Sequence, residues 1–292
     1  MQIAVFGRGF PPYARENIAT MFNKFSTLNI DVWLFKPLYE FLQEKGGLRP
    51  KVAGLFTGKD DLPGDVDYLF SVGGDGTFLE TVNLVKDNGI PVLGVNIGRL
   101  GFLSYISQEN LEESLESVFS GRFDIEERML LKVEKTGGPL QGPDMALNEV
   151  RIYKNSGSLI TIHVRVNDEF LSAYWADGLL LSTPTGSTAY NLSVGGPIVI
   201  PESHTLILSP IAPHNLTVRP LVLPDSAVLQ LSVDTRDPSF QLALDSFTTD
   251  LEVDTTVTVR RAETTLKMIR IENISFYSTL RNKLMWGADK RN

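Results

Sequence analysis

Up to residue 100 the chain alternates short apolar runs with stretches of helical period. Ile3–Phe6, Asp31–Phe35, Val52–Phe56, Tyr68–Val72 and Pro91–Val95 read as buried strands. Between them, Arg15–Leu28 places Ile18, Met21, Phe22 and Phe25 on one face, and Phe78–Asp87 reads as a second helix. Strands separated by helical segments imply a mainly parallel sheet covered on both faces. From about residue 124 the pattern changes. Leu130–Glu134, Glu149–Tyr153, Ile160–Val166, Val228–Val233, Phe240–Leu244, Thr256–Arg260 and Leu266–Ile271 are short and rich in Val, Ile, Thr and Leu. Turn residues at Gly137-Gly138-Pro139, Asn155–Ser158, Asn167-Asp168 and Asp237-Pro238 punctuate them. The expectation is an α/β N-terminal domain over 1–123, a β-rich C-terminal domain over 124–274, and a terminal segment 275–292 in which Ser275–Trp286 returns as a helix.

The length of 292 residues suits two domains of ordinary size. The absence of cysteine excludes disulfide scaffolds, thiol catalysis and Cys-bound metal, and makes the cytoplasm the expected compartment. The opening residues carry no basic stretch ahead of the apolar Ile3–Phe6, so they read as a first strand rather than a signal peptide. No apolar run reaches the length needed to cross a bilayer. A net charge of −8 without a Lys/Arg cluster argues against nucleic-acid binding. Small anions stay open to it, because backbone amides and a metal ion suffice to hold phosphate.

The strongest local signal is Gly73-Gly74-Asp75-Gly76-Thr77, set between an apolar strand and a helix. Glycines let a ligand approach the main chain, and free N–H groups lie at the positive end of the helix dipole, so phosphate is the natural guest. The carboxylate in the middle would repel that guest unless it bound a metal or took a proton from a nucleophile. The plainer reading is a tight turn with Asp75 as helix N-cap. Further along, Asp177–Ile198 (DGLLLSTPTGSTAYNLSVGGPI) packs Ser182, Thr183, Thr185, Ser187, Thr188, Tyr190 and Ser193 close together, as a surface loop or as a nucleotide-lined pocket. Asn148-Glu149 opens a strand, either as a polar strand end or as a pair that hydrogen-bonds ribose hydroxyls.

Familiar alternatives fail. There is no GxxxxGK followed by Ser or Thr, no protein-kinase HRD or DFG, no GxSxG around Ser187, and His163, His204 and His214 lack zinc spacing, so the histidines read as structural.

Taken in order, these motifs resemble those of the NAD kinase family. Gly73–Thr77 is similar to its GGDGT, Asn96–Leu103 to its NxGxLGFL, Ala146–Glu149 to its NE motif, and Pro213–Leu216 with Arg219–Leu221 to its PHSL and RPLV; Asp177–Ile198 is the most specific match. GGDGT alone is shared with diacylglycerol-kinase-like and phosphofructokinase-like enzymes, so a lipid kinase is the enzymatic rival and a non-catalytic nucleotide-binding regulatory module the other. The resemblance implies an α/β domain and a β-rich domain with the active site between them. It implies transfer of the γ-phosphoryl group of ATP, or in some members polyphosphate, to the adenosine ribose 2′-hydroxyl of NAD. On it, Asp75 is the general base, and Gly73, Gly74, Gly76 and Thr77 hold phosphate. Asp75, Gly76, Phe102, Asn148, Glu149, Asp177, Thr185, Thr188, Ala189, Tyr190, Asn191, Leu192, Ser193, Ile211 and Ala212 contact NAD. Within that set Thr185, Thr188, Ala189 and Tyr190 line the adenine side, and Asp177 with Ile211-Ala212 lies near the nicotinamide half. Mg²⁺ or Mn²⁺, with no assigned protein ligand, and a dimer or tetramer are also implied. One departure is visible: where many members read Asp-Gly-Gln or Asp-Ser-Gln, this chain has Asp245-Ser246-Phe247, so no amide supplies the polar contact expected from position 247.

Overall fold

The structure, a computed structural model, describes residues 1–98, 101–106, 110–271 and 275–287. Arg99 and Leu100 of the NxGxLGFL-like motif, and the end of the terminal segment from residue 288, lie outside the described residues. The chain forms two compact units: Met1–Glu127 with the segment from Leu266, and Arg128–Thr265.

In the first unit the order is β1 (Gln2–Gly7), α1 (Arg15–Thr27), β2 (Asp31–Phe35), α2 (Lys36–Phe41), β3 (Gly54–Phe56), β4 (Tyr68–Gly73), α3 (Asp75–Val85), β5 (Val92–Asn96) and α4 (Leu111–Phe119). The strands lie parallel in the order β3-β2-β1-β4-β5. Every residue of β5, and all but the first of β4, is buried, which is why these strands read as unbroken apolar runs. Ile18, Met21, Phe22 and Phe25 form the buried stripe of α1, as the helical period predicts. From β1 the chain builds outward through β2 and β3, then returns to lay β4 against the other side of β1. The junction of β1 and β4 is therefore a topological switch point, whose carboxyl edge is the usual place for a ligand in an open α/β sheet.

The second unit is antiparallel. Its strands are β6 (Phe123–Lys135), β7 (Met145–Ala146), β8 (Glu149–Tyr153), β9 (Ile160–Val166), β10 (Glu169–Ala176), β11 (Gly178–Ser182), β12 (Thr205–Ile211), β13 (Leu221–Pro224), β14 (Leu229–Asp234), β15 (Ser239–Leu244), β16 (Phe247–Glu252) and β17 (Val257–Ile271). The chain leaves the first unit within β6 and re-enters it within β17. One sheet has the order β13-β12-β11-β8-β15-β16, and the other joins β10, β9, β14 and the start of β17. Alternate residues of both sheets, among them Val150, Ile152, Leu179, Leu181, Leu208 and Leu242 with Ile162, Val164, Leu229, Leu231 and Val259, meet in one core. Asn167 and Asp168 take left-handed φ values of 50° and 65°, the backbone a two-residue hairpin needs between β9 and β10. Thr256–Arg260 and Leu266–Ile271, expected as separate strands, fall, from Val257 onward, within the single strand β17. The last helix, α6 (Phe276–Leu284), is opened by a reciprocal capping box between Ser275 and Ser278.

Candidate active site

In the first unit, Gly73 ends β4 and Gly74 is the N-cap of α3, so the helix begins at Asp75, three residues earlier than its apolar period suggests. Gly73 is demanded by packing, since a Cβ there would overlap the Thr77 side chain. Beside Gly74 and Gly76 a Cβ would meet nothing within 4 Å, so the main chain there is open to a ligand. The N–H groups of a helix's first turn have no acceptor within the helix, and here they open at the carboxyl edge of the sheet.

Asp75 does not cap its own helix. Its carboxylate accepts hydrogen bonds from the backbone N–H of Phe102 (2.9 Å to Oδ2) and Leu103 (3.2 Å to Oδ1). Gly101 permits this approach, because a Cβ at that position would overlap the carboxylate. The side chain remains about one-third exposed. Lys283 of α6 stands 3.7 Å from Asp75 Oδ2 and 4.6 Å from the centre of the Phe102 ring. Nothing in the sequence pattern singles out that lysine.

In the second unit the Asn148-Glu149 step is strapped to the segment after β11. Ser182 and Thr183 are fully buried. The Thr183 hydroxyl donates to Leu147 O (2.6 Å) and accepts from Gly186 N–H (3.0 Å), while Ser182 Oγ and Thr183 N–H both donate to Asn148 O. A Cβ on Gly186 would overlap the Asn148 backbone. From Ser182 to Ser187 the surface-loop reading is therefore wrong, since those hydroxyls lie inside the fold, whereas Tyr190 further along is exposed. Thr185–Thr188 forms a 3-10 turn and Tyr190–Ser193 a single helical turn, α5. Asn191 is fully buried, its amide donating to Pro197 O (3.1 Å) and accepting from Ser209 Oγ (2.7 Å), so this side chain secures the turn from behind. Thr188 and Ala189 are half-buried and Ser193 is exposed.

Asp245, in the turn between β15 and β16, organises the strand end that carries Asn148 and Glu149, a task that the sequence pattern does not show. Its carboxylate accepts from the N–H groups of Leu147 (2.8 Å), Asn148 (2.8 Å) and Glu149 (3.1 Å). Burial pushes its carboxyl up, against those three donors and Arg151, which act to lower it. Glu149 is also buried, and its carboxyl is pushed up to about 7, first by burial and then by Asp245, with Arg151 and the Tyr190 N–H in partial opposition. Glu149 Oε2 and Thr185 Oγ1 are buried without a hydrogen-bond partner, a state that costs free energy unless a ligand completes it. Arg151 donates to Asp245 O (2.8 Å) and lies 5.2 Å from the Tyr190 ring centre. Asp177 Oδ1 pairs with Lys154 (2.6 Å), and Asp177 N–H donates to Ile211 O (3.0 Å), so Asp177, Ile211 and Ala212 share one end of the sheet. Phe247 presses its ring on Gly142, where a Cβ would collide with it, and offers only apolar surface.

His163 pairs with Asp234 and His204 with Asp225, and His214 lies against Trp175, consistent with structural use. Among the described residues no group of three or more His, Cys, Asp or Glu is arranged to hold a metal. Among them, too, no helix is long and apolar enough to cross a membrane.

Residues 57–123 match the family model described as ATP-NAD kinase N-terminal domain, and residues 147–271 that described as ATP-NAD kinase C-terminal domain. A curated NAD kinase of Bacteroides fragilis is 40% identical over 292 residues, covering 100% of both chains. Two solved structures share the fold. Yeast NADH kinase complexed with NADH has a TM-score of 0.83 at 24% identity, over 99% of this chain and 88% of that one. An NAD kinase from Archaeoglobus fulgidus in complex with ATP has a TM-score of 0.74 at 23% identity, over 98% and 99%.

Proposed function

The chain belongs to the NAD kinase family and is a phosphotransferase, and from that premise we propose that Asp75 is the general base that directs the adenosine ribose 2′-hydroxyl of NAD at the γ-phosphorus of ATP. The observation that carries this reading is the Asp75 carboxylate itself, oriented by the Phe102 and Leu103 amides at the open, glycine-lined start of α3. The 2′-oxygen bonds to the γ-phosphorus, the bond from that phosphorus to the β–γ bridging oxygen breaks, and the hydroxyl proton passes to Asp75. NADP and ADP leave. Phosphoryl transfer has a loose transition state, so alignment and charge neutralisation count for more than full deprotonation of the nucleophile.

In this reading the backbone of Gly73, Gly74, Gly76 and Thr77 holds phosphate. Asn148 and Glu149 hold ribose hydroxyls, which gives the buried Glu149 Oε2 its missing partner. Thr185, Thr188, Ala189 and Tyr190 line the adenine, Thr185 with a hydroxyl that is otherwise unpartnered. Leu192 and Ser193 continue that wall, with Asn191 holding it in place. Gly76 and Phe102 also touch adenosine, and Asp177, Ile211 and Ala212 face the nicotinamide half. Mg²⁺ or Mn²⁺ arrives as part of the substrate, neutralising the triphosphate. Exposed Phe170, Leu171 and Trp175 along β10, with Leu216, support assembly as a homo-oligomer. The rival lipid kinase and the non-catalytic module are not favoured by the family match.

Incubation with ATP, Mg²⁺ and NAD, followed by an NADP-specific dehydrogenase, tests the reading. NADP formation that depends on ATP is expected. No product, or phosphorylation of diacylglycerol instead, overturns it.

A further inference from the structure

An aspartate placed among phosphate-binding amides presents an electrostatic problem, because it repels the anion that the amides attract. The two backbone donors on Asp75 orient its carboxylate but bring no net charge. The only ion pair made by Asp75 among the described residues is to Lys283, from the helix nearest the end of the chain. We propose that Lys283 is a positioning residue for the transfer: its ammonium is the counter-charge that lets the Asp75 carboxylate stand beside a triphosphate.

Three features hold that ammonium in place. The face of the Phe102 ring lies 4.6 Å below it, at a distance where a cation is attracted to the ring. Phe276, at the other end of α6, packs against the same ring, with centroids 6.5 Å apart. The helix between them is anchored by buried Thr279 and Leu280 and by the Ser275–Ser278 capping box. Phe102 thus does two tasks with separate atoms, its N–H directing the carboxylate and its ring seating the cation.

The separation suits a counter-ion better than a clamp. At 3.7 Å the ammonium lies beyond hydrogen-bond length from Oδ2, so it neutralises the carboxylate without occupying the lone pair a sugar hydroxyl needs. Both side chains are about one-third exposed, so an arriving triphosphate meets the ammonium together with the carboxylate.

The inference rests on Asp75 being the base, so Asp75→Asn belongs in the same experiment. In the full-length chain, Lys283→Met is expected to lower kcat by about 10- to 100-fold, the scale of a misplaced reacting group, and to raise KM for ATP while KM for NAD stays within about twofold. Lys283→Arg should recover most of the loss, and added methylammonium should restore part of it to the Met variant. Wild-type kcat and KM for ATP in Lys283→Met overturn the inference. So does an equal loss in the Arg and Met variants, or a parallel rise of both KM values with a lowered melting temperature, which marks a purely structural lysine. If the Met variant fails to fold, Lys283→Gln carries the same comparison. Full turnover in Asp75→Asn sinks the base assignment itself, whereas loss there with none in Lys283→Met sinks only this proposal.

Discussion

Asp245 and Glu149 are bonded in both directions: Glu149 N–H donates to Asp245 Oδ1 at 3.1 Å, and Asp245 N–H donates to Glu149 O at 3.0 Å. Two strand ends nearly a hundred positions apart are so held in one register, with the Asp245 carboxylate also gathering the Leu147 and Asn148 amides.

Asp245→Ala leaves three backbone donors without their acceptor. A buried donor left unpaired costs about 1–3 kcal/mol, so denaturant unfolding should show a loss of at least about 3 kcal/mol. KM for NAD should rise more than KM for ATP. Asp245→Asn, which keeps an acceptor oxygen, should fall between the two. Unchanged stability in the Ala variant would show that water replaces the carboxylate at no cost.

Glu149 gives a pH dependence. Its carboxyl titrates near 4.5 when unfolded and at about 7 when folded, so across that interval the folded chain binds more protons than the unfolded chain. Stability from this group therefore falls as pH rises from about 4.5 to about 7 and is flat above it. At roughly 1.4 kcal/mol per pH unit the full swing is about 3 kcal/mol. Glu149→Gln removes the titration, so denaturation curves of variant and wild type should diverge across this interval in the variant's favour, then run parallel. A gap independent of pH would refute it.

Gly101→Ala puts a methyl group where the Asp75 carboxylate lies. Turnover should fall by about 10²-fold, the typical weight of a general base, with NAD affinity by calorimetry changed by less than about threefold. A variant with normal kcat would mean that the Asp75 carboxylate does its work from another position.

Asp75→Asn should fold and bind NAD while losing at least about 10²-fold in kcat. The measurement is steady-state turnover beside a thermal melt. Near-normal kcat removes Asp75 from the base role.

The parallel strands were legible because they are buried on both faces, so Leu69-Phe70 and Val92-Leu93 stand out as apolar runs. The β17 strand was not legible as one element: through Arg261, Glu263 and Thr264 one face is solvated, and only Ala262 marks the buried side. Helix α4 carries Leu111, Leu115 and Val118 at helical spacing, a signal present in the sequence yet unread. The glycine turn announced itself by composition and place. Asp245 and Lys283 did not, because an aspartate in a hairpin turn and a lysine near a helix end are ordinary there. Their importance comes from partners far along the chain, which local periodicity does not reveal.

Met1–Glu127 and the segment from Leu266 belong to one unit, while Arg128–Thr265 is a continuous stretch inserted between them. During synthesis the inserted stretch has all its residues outside the ribosome before the unit that surrounds it in sequence does. Helix α6, with Lys283, is translated only after the whole of that stretch. A polypeptide stalled just short of it would carry every glycine of the phosphate turn and still lack the cation beside Asp75, so premature release is expected to leave the transfer step slowed although its glycine turn is whole.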